Sequence, residues 1–522
     1  MFQSSPIKPP SGDTRQPRVS ALSVIRKSLT FPSELAQYSR RNLGNSRTLA
    51  RIAKDTEEAM TDSIANEFDT LQLGDKRLDN RCKLIAERFA ANPQASINAA
   101  SQGWNETHAA YEFFDNDFVD EADILAAHKD ATMRRIEQQD VVLLVQDTTE
   151  LDFTKHPTED SGVLNEGYRF GLYDHSQIAF TESGLCLGVM DVKLFSHTPE
   201  TLGQSKEQRK QLPIEEKESF RWLQNYRRAC QLAGEQPDKQ IINVADREAD
   251  LYDIFVEAAE HPTPADFVIR AKQPRCTPER DLEAGPCTYK KVADEVADAP
   301  VSIRLQIDLA ATPKRAARRA TLEVRAKRLR VKPPQTRKSE FPEVELSVVE
   351  VREVGGPGDG TDVHWQLLSS LPVDTINQIQ RVIDIYVTRW PIETYFRVYK
   401  SGCRIEEIQL ETNARQRRAL IIYKVVAWRL MYLTTLGRQC PDLDCEAVFA
   451  DFEWKPVWRV VRGQELPKTP PRLGEMVQMV GELGGHNNRS GDAPPGAEAM
   501  WNGLRRMKDF ALAWRAFGND DD

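Results

Sequence analysis

A short uninterrupted apolar run, Val141-Val-Leu-Leu-Val145, and a second broken only by Asn243, Ile241-Ile-Asn-Val-Ala245, stand out from a mixed chain. Such runs predict strands buried on both faces. Each leads into acid: Gln146, Asp147, Thr148 and Thr149 follow the first, and Asp246, Arg247, Glu248, Ala249 and Asp250 the second. Between them, alternating segments around Gln177 to Thr181 and Leu185 to Leu194, joined through Glu182, Ser183 and Gly184, predict a tight hairpin. A charged helical stretch follows, from about Ile214 to Leu232. After Asp246 come a helix, Leu251 to Ala259, and a strand, Phe267-Val-Ile-Arg-Ala271.

Strand, hairpin, helix, strand, helix, strand is the order of a ribonuclease-H-like core, an α/β fold on a mixed sheet in which carboxylates from the first and fourth strands meet on one edge. A later helix is expected to bring a third. Before that helix lies a β-rich block: Val301 to Asp308, Thr321 to Lys332, Glu343 to Val354 and Val363 to Ser369. Asp246 and Glu393 are 147 positions apart, far more than one crossover requires, so the block reads as an insertion over about 273–370. Upstream, Asp75 to Asn92 reads as a helix with Leu78, Cys82, Ile85 and Phe89 on one face. Downstream, an apolar helix over Ala419 to Leu436 precedes an amphipathic one carrying Trp501, Leu504, Met507, Ala511 and Trp514, with a Gly-, Asn- and Pro-rich loop, Gly481 to Gly496, between them.

Composition narrows the setting without revealing the chemistry. A chain of 522 residues implies several domains, and 40% hydrophobic content is ample for their cores. No run approaches the length of a membrane span and the N-terminus lacks an apolar signal region, so no membrane partner is expected. The eight cysteines show no CxxC and no nearby histidine pattern, which argues against disulfides and structural zinc and for a reducing cytoplasm. A formal charge of −9 is unusual for a nucleic-acid binder. The charge is uneven, however. Residues 1–54 hold ten basic and two acidic side chains, and residues 1–59 read as a disordered basic extension, with Met60 a candidate translation start. From Pro313 to Lys338, the cations Lys314, Arg315, Arg318, Arg319, Arg325, Lys327, Arg328, Arg330, Lys332, Arg337 and Lys338 face a single acid, Glu323, in a pattern that reads either as a DNA-facing patch or as a solvated hairpin.

The third carboxylate is sought in Tyr386, Arg389, Glu393 and Lys400. At roughly 100° per residue their helical angles fall near 0°, 300°, 340° and 320°. One face would then offer a carboxylate, two cations and a phenol, enough to ligate a metal and grip flanking phosphates. Charged residues at such spacing ordinarily form a solvated face, and an aspartate at a strand end ordinarily caps a turn or helix. It is the three together that suggest a site for hard divalent cations, which prefer oxygen ligands. Pro391 interrupts the stripe: it removes a hydrogen bond to the Val387 carbonyl and favours a kink or a helix restart there.

Asp147-Thr-Thr-Glu-Leu, Asp246-Arg-Glu-Ala-Asp and Tyr386-x2-Arg389-x3-Glu393-x6-Lys400 together resemble the DDE transposases of bacterial cut-and-paste elements, the Tn-five and IS-four group, whose signature is the last spacing. The likeness runs from about Phe68, through Leu73-Gly-Asp-Lys-Arg77, to Leu483-Gly-Gly and Gly491-Asp-x-x-Pro-Gly496. It implies a helical domain over 60–135 that binds element ends, a catalytic core over 136–412 and a dimerisation region over 413–522. It further implies two Mg²⁺ ions, replaceable by Mn²⁺, on Asp147, Asp246 and Glu393. Tyr386, Arg389 and Lys400 would hold phosphate, with Arg270 and Lys272 as weaker candidates, and Trp365 and Trp390 would stack a flipped base. Lys76, Arg77 and Arg81 are candidate DNA contacts of the N-terminal helix. The implied partners are double-stranded element ends and target DNA, and a second copy of the chain. The implied reaction is nicking, hairpin formation, hairpin opening and strand transfer in the cytoplasm of a bacterium. A regulator that binds ends without cutting, and a nuclease of the same fold without strand transfer, are the alternative functions.

Overall fold

The computed structural model describes residues 64–165, 168–197, 212–285, 288–309, 311, 315–489 and 492–517. The basic extension over 1–59, Met60 and Lys314 of the basic run lie outside the described residues. The strands are β1 (Val141–Asp152), β2 (Gly171–Phe180), β3 (Cys186–Phe195), β4 (Gln240–Ala245), β5 (Asp266–Arg270), β6 (Cys276–Arg280), β7 (Tyr289–Lys291), β8 (Ile303–Leu309), β9 (Arg318–Val331), β10 (Val344–Val354) and β11 (His364–Ser369). Nine of them form one mixed sheet in the order β3-β2-β1-β4-β5-β11-β10-β9-β8. Strands β1, β4 and β5 are parallel, and β2 and β3 form the expected hairpin. The β-rich block continues this sheet through β11, which pairs antiparallel with β5.

The helices are α1 (Lys76–Ala91), α2 (Ile97–Ala100), α3 (Trp104–Asp115), α4 (Glu121–Glu137), α5 (Phe220–Glu235), α6 (Tyr252–Glu260), α7 (Val292–Ala297), α8 (Ile376–Val387), α9 (Pro391–Arg397), α10 (Asn413–Gln439), α11 (Asp451–Arg462), α12 (Leu473–Leu483) and α13 (Ala497–Phe517). Local chemistry sets their ends. Asp75 caps α1 by accepting from the Arg77 backbone N–H at 2.8 Å, and Thr375 and Gln378 form a reciprocal capping box on α8. The stretch expected as one helix from Ile214 is a short 3-10 turn, Ile214–Glu216, followed by α5.

Strand β2 is buried along its whole length despite carrying Asp174, His175, Ser176 and Gln177. Alternation explains how. Ser176 receives a hydrogen bond from Lys424 of α10 at 2.8 Å, whereas His175 lies edge-on to Trp222 of α5 at 4.6 Å and Gln177 donates to the Asn225 carbonyl. The sheet is therefore sandwiched between α10 and α5, and each buried polar group finds a partner on its own side. The N-terminal helices are tied to this core through α4, where Arg135 donates to the Leu187 carbonyl of β3 at 2.6 Å and His128 accepts from the Val189 N–H at 3.0 Å, and Glu67 holds both, Arg135 at 2.8 Å and His128 at 2.7 Å. Burial opposes the charge of Glu67, but the Arg135 guanidinium and the hydrogen bond with His128 hold its carboxyl down to about 2.

Helix α10 is apolar and long enough to cross a membrane by length and composition, with a mean hydropathy of 1.4, which the search for membrane-length runs in the sequence missed. Its apolar window is 89% buried within the protein, as befits the central helix of a core.

Candidate active site

The register of β1 against β4 sets Val145 beside Val244 and Gln146 beside Ala245. Each strand reaches its aspartate at the next position. Asp147 and Asp246 thus emerge side by side, and both are nearly buried, at 4% and 8% exposure. Asp246 also caps a short turn, accepting from the Glu248 N–H at 2.7 Å, so the ordinary strand-end role and the candidate ligand role fall on one side chain.

The stripe of four does not lie on one helix. Helix α8 ends at Val387, Thr388 to Trp390 form a connecting turn, and α9 restarts with Pro391 at its first position. The backbone then widens into a π-turn over Val398–Gly402. The cause is the missing proline N–H, which leaves the Val387 carbonyl to the Trp390 N–H at 3.1 Å. The single-arc geometry is therefore corrected, and the four side chains part company.

Arg389 falls in the connecting turn and reaches both neighbours, with Nη1 3.1 Å from Asp147 Oδ2 and Nη2 2.6 Å from Glu393 Oε1. Burial disfavours its charge. The phenol of Tyr386 and the carboxylates of Asp147, Glu393 and Asp246 outweigh this and raise its pKa. One guanidinium thus faces all three candidate carboxylates. Lys400 instead donates to the Glu150 carbonyl at 2.6 Å and pairs with Glu406 at 2.9 Å. Tyr386 is buried with its ring edge-on to Trp365, 5.5 Å between centroids.

Trp365 is only 6% exposed, so in this arrangement its ring belongs to the core beside Tyr386. Trp390 is half-buried next to Arg389, whose guanidinium lies 5.9 Å from its ring centre. Arg270 donates to the His364 carbonyl at 3.1 Å, and Lys272 is exposed. On α1, Lys76 is exposed, Arg77 binds its own cap Asp75 at 2.7 Å, and Arg81 is half-exposed. The neighbouring acids are committed elsewhere: Glu150 and Asp152 to Arg169, Glu406 to Lys400, and Asp250 to Arg275.

The basic run of the sequence is largely neutralised by acids from adjoining elements. Arg318 pairs with Glu353, Lys327 with Glu295, Arg328 with Glu345, and Arg337 with Asp253 and Glu340. Only Glu323 stands within the run itself, because the other acids lie on the neighbouring strand β10 (Glu345, Glu353), on helices α6 and α7 (Asp253, Glu295) and just past its end (Glu340). Sequence reasoning also passed over Arg221 of α5, which donates to Thr148 Oγ1 at 3.3 Å and lies 3.7 Å from Glu248. Its only signal was a charged helix of no special spacing.

Among the described residues no three His, Cys, Asp or Glu side chains are gathered closely enough by themselves to hold an ion. Arg389 lies between Asp147 and Glu393. The donor set nonetheless fits a hard divalent cation, since all three are carboxylates, and Glu393, with its side chain 35% exposed, faces outward.

Paired aspartates on adjacent parallel strands, with a glutamate on a later helix, define a ribonuclease-H-like enzyme of phosphodiester chemistry. Three family models match this chain: a transposase DNA-binding domain over residues 60–119, a transposase DDE domain over 265–429 and the transposase Tn5 dimerisation domain over 425–517. The chain belongs to the Tn5 and IS4 group of DDE transposases. It is a DNA transposase whose partners are DNA and a second copy of itself, and its DDE domain is of a kind that uses divalent metal ions. A piggyBac transposase synaptic complex with hairpin DNA is 8% identical, with 93% of this chain and 83% of that chain covered and a TM-score of 0.31, a likeness too loose to carry an argument.

Proposed function

We propose that the protein moves its element by cut-and-paste, with nicking, hairpin formation, hairpin opening and strand transfer performed by one carboxylate set per subunit. The observation that carries this is the placement of Asp147, Asp246 and Glu393 about one guanidinium, Arg389, which binds Asp147 and Glu393 directly and feels the charge of Asp246. In this reading the three carboxylates hold two Mg²⁺ ions, with Mn²⁺ as a substitute. When bound, the ions activate the attacking water or 3′-hydroxyl and stabilise the leaving oxygen. Arg389 keeps the carboxylates charged and together until the ions arrive, then turns to a phosphate oxygen. Lys400 holds a second oxygen, Tyr386 donates a hydrogen bond to the same strand, and Arg270 and Lys272 follow it outward.

Trp365 and Trp390 receive a flipped base in this reading, which requires Tyr386 to yield its place against Trp365. Residues 60–135, with Lys76, Arg77 and Arg81, bind the element ends. Residues 136–412 form the catalytic core, and residues 413–522 pair two subunits so that both ends are cut together. The reaction takes place on bacterial DNA in the cytoplasm.

The test is incubation of the purified protein with Mg²⁺ and a duplex bearing the inverted repeats that flank its gene, beside Glu393→Gln. Cleaved ends and joined products are expected from the wild type alone, with a loss of at least about 10³-fold in the variant, since a metal ligand contributes several kcal/mol to such a transition state. Binding without cleavage in both would favour the regulator. Cleavage without joining would favour the nuclease, and equal cleavage by both would mean that Glu393 is not a ligand.

A further inference from the structure

On the opposite face of the sheet from Asp147 lies a cavity of about 190 Å³, whose lining includes His175, Asp191, Lys193, Arg221, Asn225 and Arg228. We propose that it binds a phosphate group of the DNA backbone, a contact that rests on the transposase reading and adds an anchor on the side of the sheet away from the carboxylates.

Register places the cavity. Thr148, which follows Asp147, stands opposite His175, and His175 stands opposite Lys193, so the three form one row across β1, β2 and β3. At about 4.8 Å between strands, Lys193 lies about 10 Å from Thr148. Hydrogen bonds run along the same row: Thr148 Oγ1 meets His175 Nδ1 at 2.9 Å and receives Arg221 Nε at 3.3 Å. A DNA strand advances about 3.4 Å per nucleotide. A backbone running from β1 across β2 to β3 thus covers this separation in about three nucleotides.

The chemistry of the lining selects an oxyanion. Three cations face one carboxylate, Asp191, and that carboxylate pairs with Arg228. Arg221 is taken on its outer side by Glu218 at 3.0 Å and by Glu248. Lys193 meets only the amide oxygen of Gln224, at 3.2 Å, among the described residues. Burial, and then the neighbouring charge of Arg221, lower its pKa, a repulsion that an anion between them would relieve. Asn225 is 1% exposed, and its Oδ1 accepts from Arg228 at 3.2 Å. Its Nδ2 has no partner among the described residues. A buried donor left unpaired costs about 1–3 kcal/mol. An ammonium and a guanidinium lining one space, with a buried unpaired amide N–H on a third lining residue, suit a tetrahedral oxyanion such as a backbone phosphate.

Lys193→Gln tests this without threatening the fold, because the side chain is exposed. Affinity for the inverted-repeat duplex would be measured against salt for the wild type, Lys193→Gln, Lys193→Arg and Asn225→Asp. Loss of one phosphate contact lowers the slope of log K against log salt by about 0.9. That decrease is expected in Lys193→Gln, with Lys193→Arg at the wild-type slope, and Asn225→Asp, which sets a carboxylate beside the phosphate, should bind the duplex more weakly than the wild type at each salt concentration. An unchanged slope in Lys193→Gln would overturn the proposal. Thermal stabilisation by inorganic phosphate that is lost in Lys193→Gln, with the DNA slope unmoved, would assign the cavity to free phosphate and also overturn it. A wild type that fails to bind the duplex at all would sink the transposase reading instead.

Discussion

Two buried arginines lie in connecting segments, Arg275 after β5 and Arg389 between α8 and α9, and their carboxylate partners differ in number. Arg275 meets one, Asp250: Nε donates to Asp250 Oδ1 at 3.0 Å, and Nη2 bonds both Oδ1 and the Asp250 carbonyl, the latter at 3.1 Å. The other carboxylate oxygen accepts the backbone N–H groups of Lys272 and Gln273, each at 2.7 Å. Charge is matched one to one and both oxygens are used, with the guanidinium resting on the Phe255 ring at 4.9 Å. Arg389 binds two carboxylates, Asp147 and Glu393, and feels the charge of a third, Asp246, each from a separate element. The first arrangement is complete as it stands, while the second gathers more negative charge than one cation balances and so favours further cations. An acid within the motif Asp246-Arg-Glu-Ala-Asp250 is therefore no guide to function until its partners are counted.

Breaking the matched pair should have the largest effect on stability. Arg275→Met leaves Asp250 buried and unpaired, and loss of one member of a buried pair costs about 3–5 kcal/mol. Urea unfolding should show that loss equally with and without Mg²⁺. A variant as stable as the wild type would mean that the backbone donors of Lys272 and Gln273 suffice for Asp250.

Arg389→Met should cost less and respond to metal. Glu393 is partly exposed and can turn to water, so a loss of about 1–3 kcal/mol is expected in EDTA. Divalent cation should then recover most of it, because binding to the folded state alone stabilises by RT ln(1 + [L]/Kd). Unfolding curves at rising Mg²⁺ would read this directly. A deficit that stays constant at all Mg²⁺ concentrations would place Arg389 with Arg275, as a structural residue.

The two arginines also differ in how far the sequence reveals them. Asp147 and Asp246 are legible because burial on both faces requires continuous apolar strands, and parallel pairing then fixes which residues emerge together. The hairpin through Gly184 is legible for a similar reason, since its positive φ of 86° is one that glycine adopts without strain. Arg389 is legible as a motif position but not as the hub of three carboxylates, because that depends on a break whose rotation helical angles cannot supply. Partners across the sheet are hidden altogether. The acids that neutralise Arg318 and Arg328, and the row from Thr148 to Lys193, depend on register between neighbouring strands, and Lys327 finds its acid, Glu295, on helix α7. Trp365 is legible as an aromatic position, but its burial depends on Tyr386, which approaches it from α8.

Pro391→Ala should have the smallest effect on stability and still bear on the comparison. Proline at the first position of a helix stabilises mainly by restricting the unfolded chain, so the substitution should cost only about 0.4–1 kcal/mol. It also restores an N–H that can reach the Val387 carbonyl and draw α8 and α9 into one continuous helix. Each residue so regularised turns by about 100° from its neighbour, which would move Arg389 relative to Asp147 while Glu393 stays on its own helix. Cleavage of the inverted-repeat duplex should therefore fall much further than stability, with the loss in turnover rather than in DNA affinity. Arg275, which is not held by this turn, should keep its pairing, so the urea midpoint should shift only slightly. If cleavage and stability fall together by the same small amount, the break does not set the position of Arg389, and the meeting of the three carboxylates must be held by the strands and α9 alone.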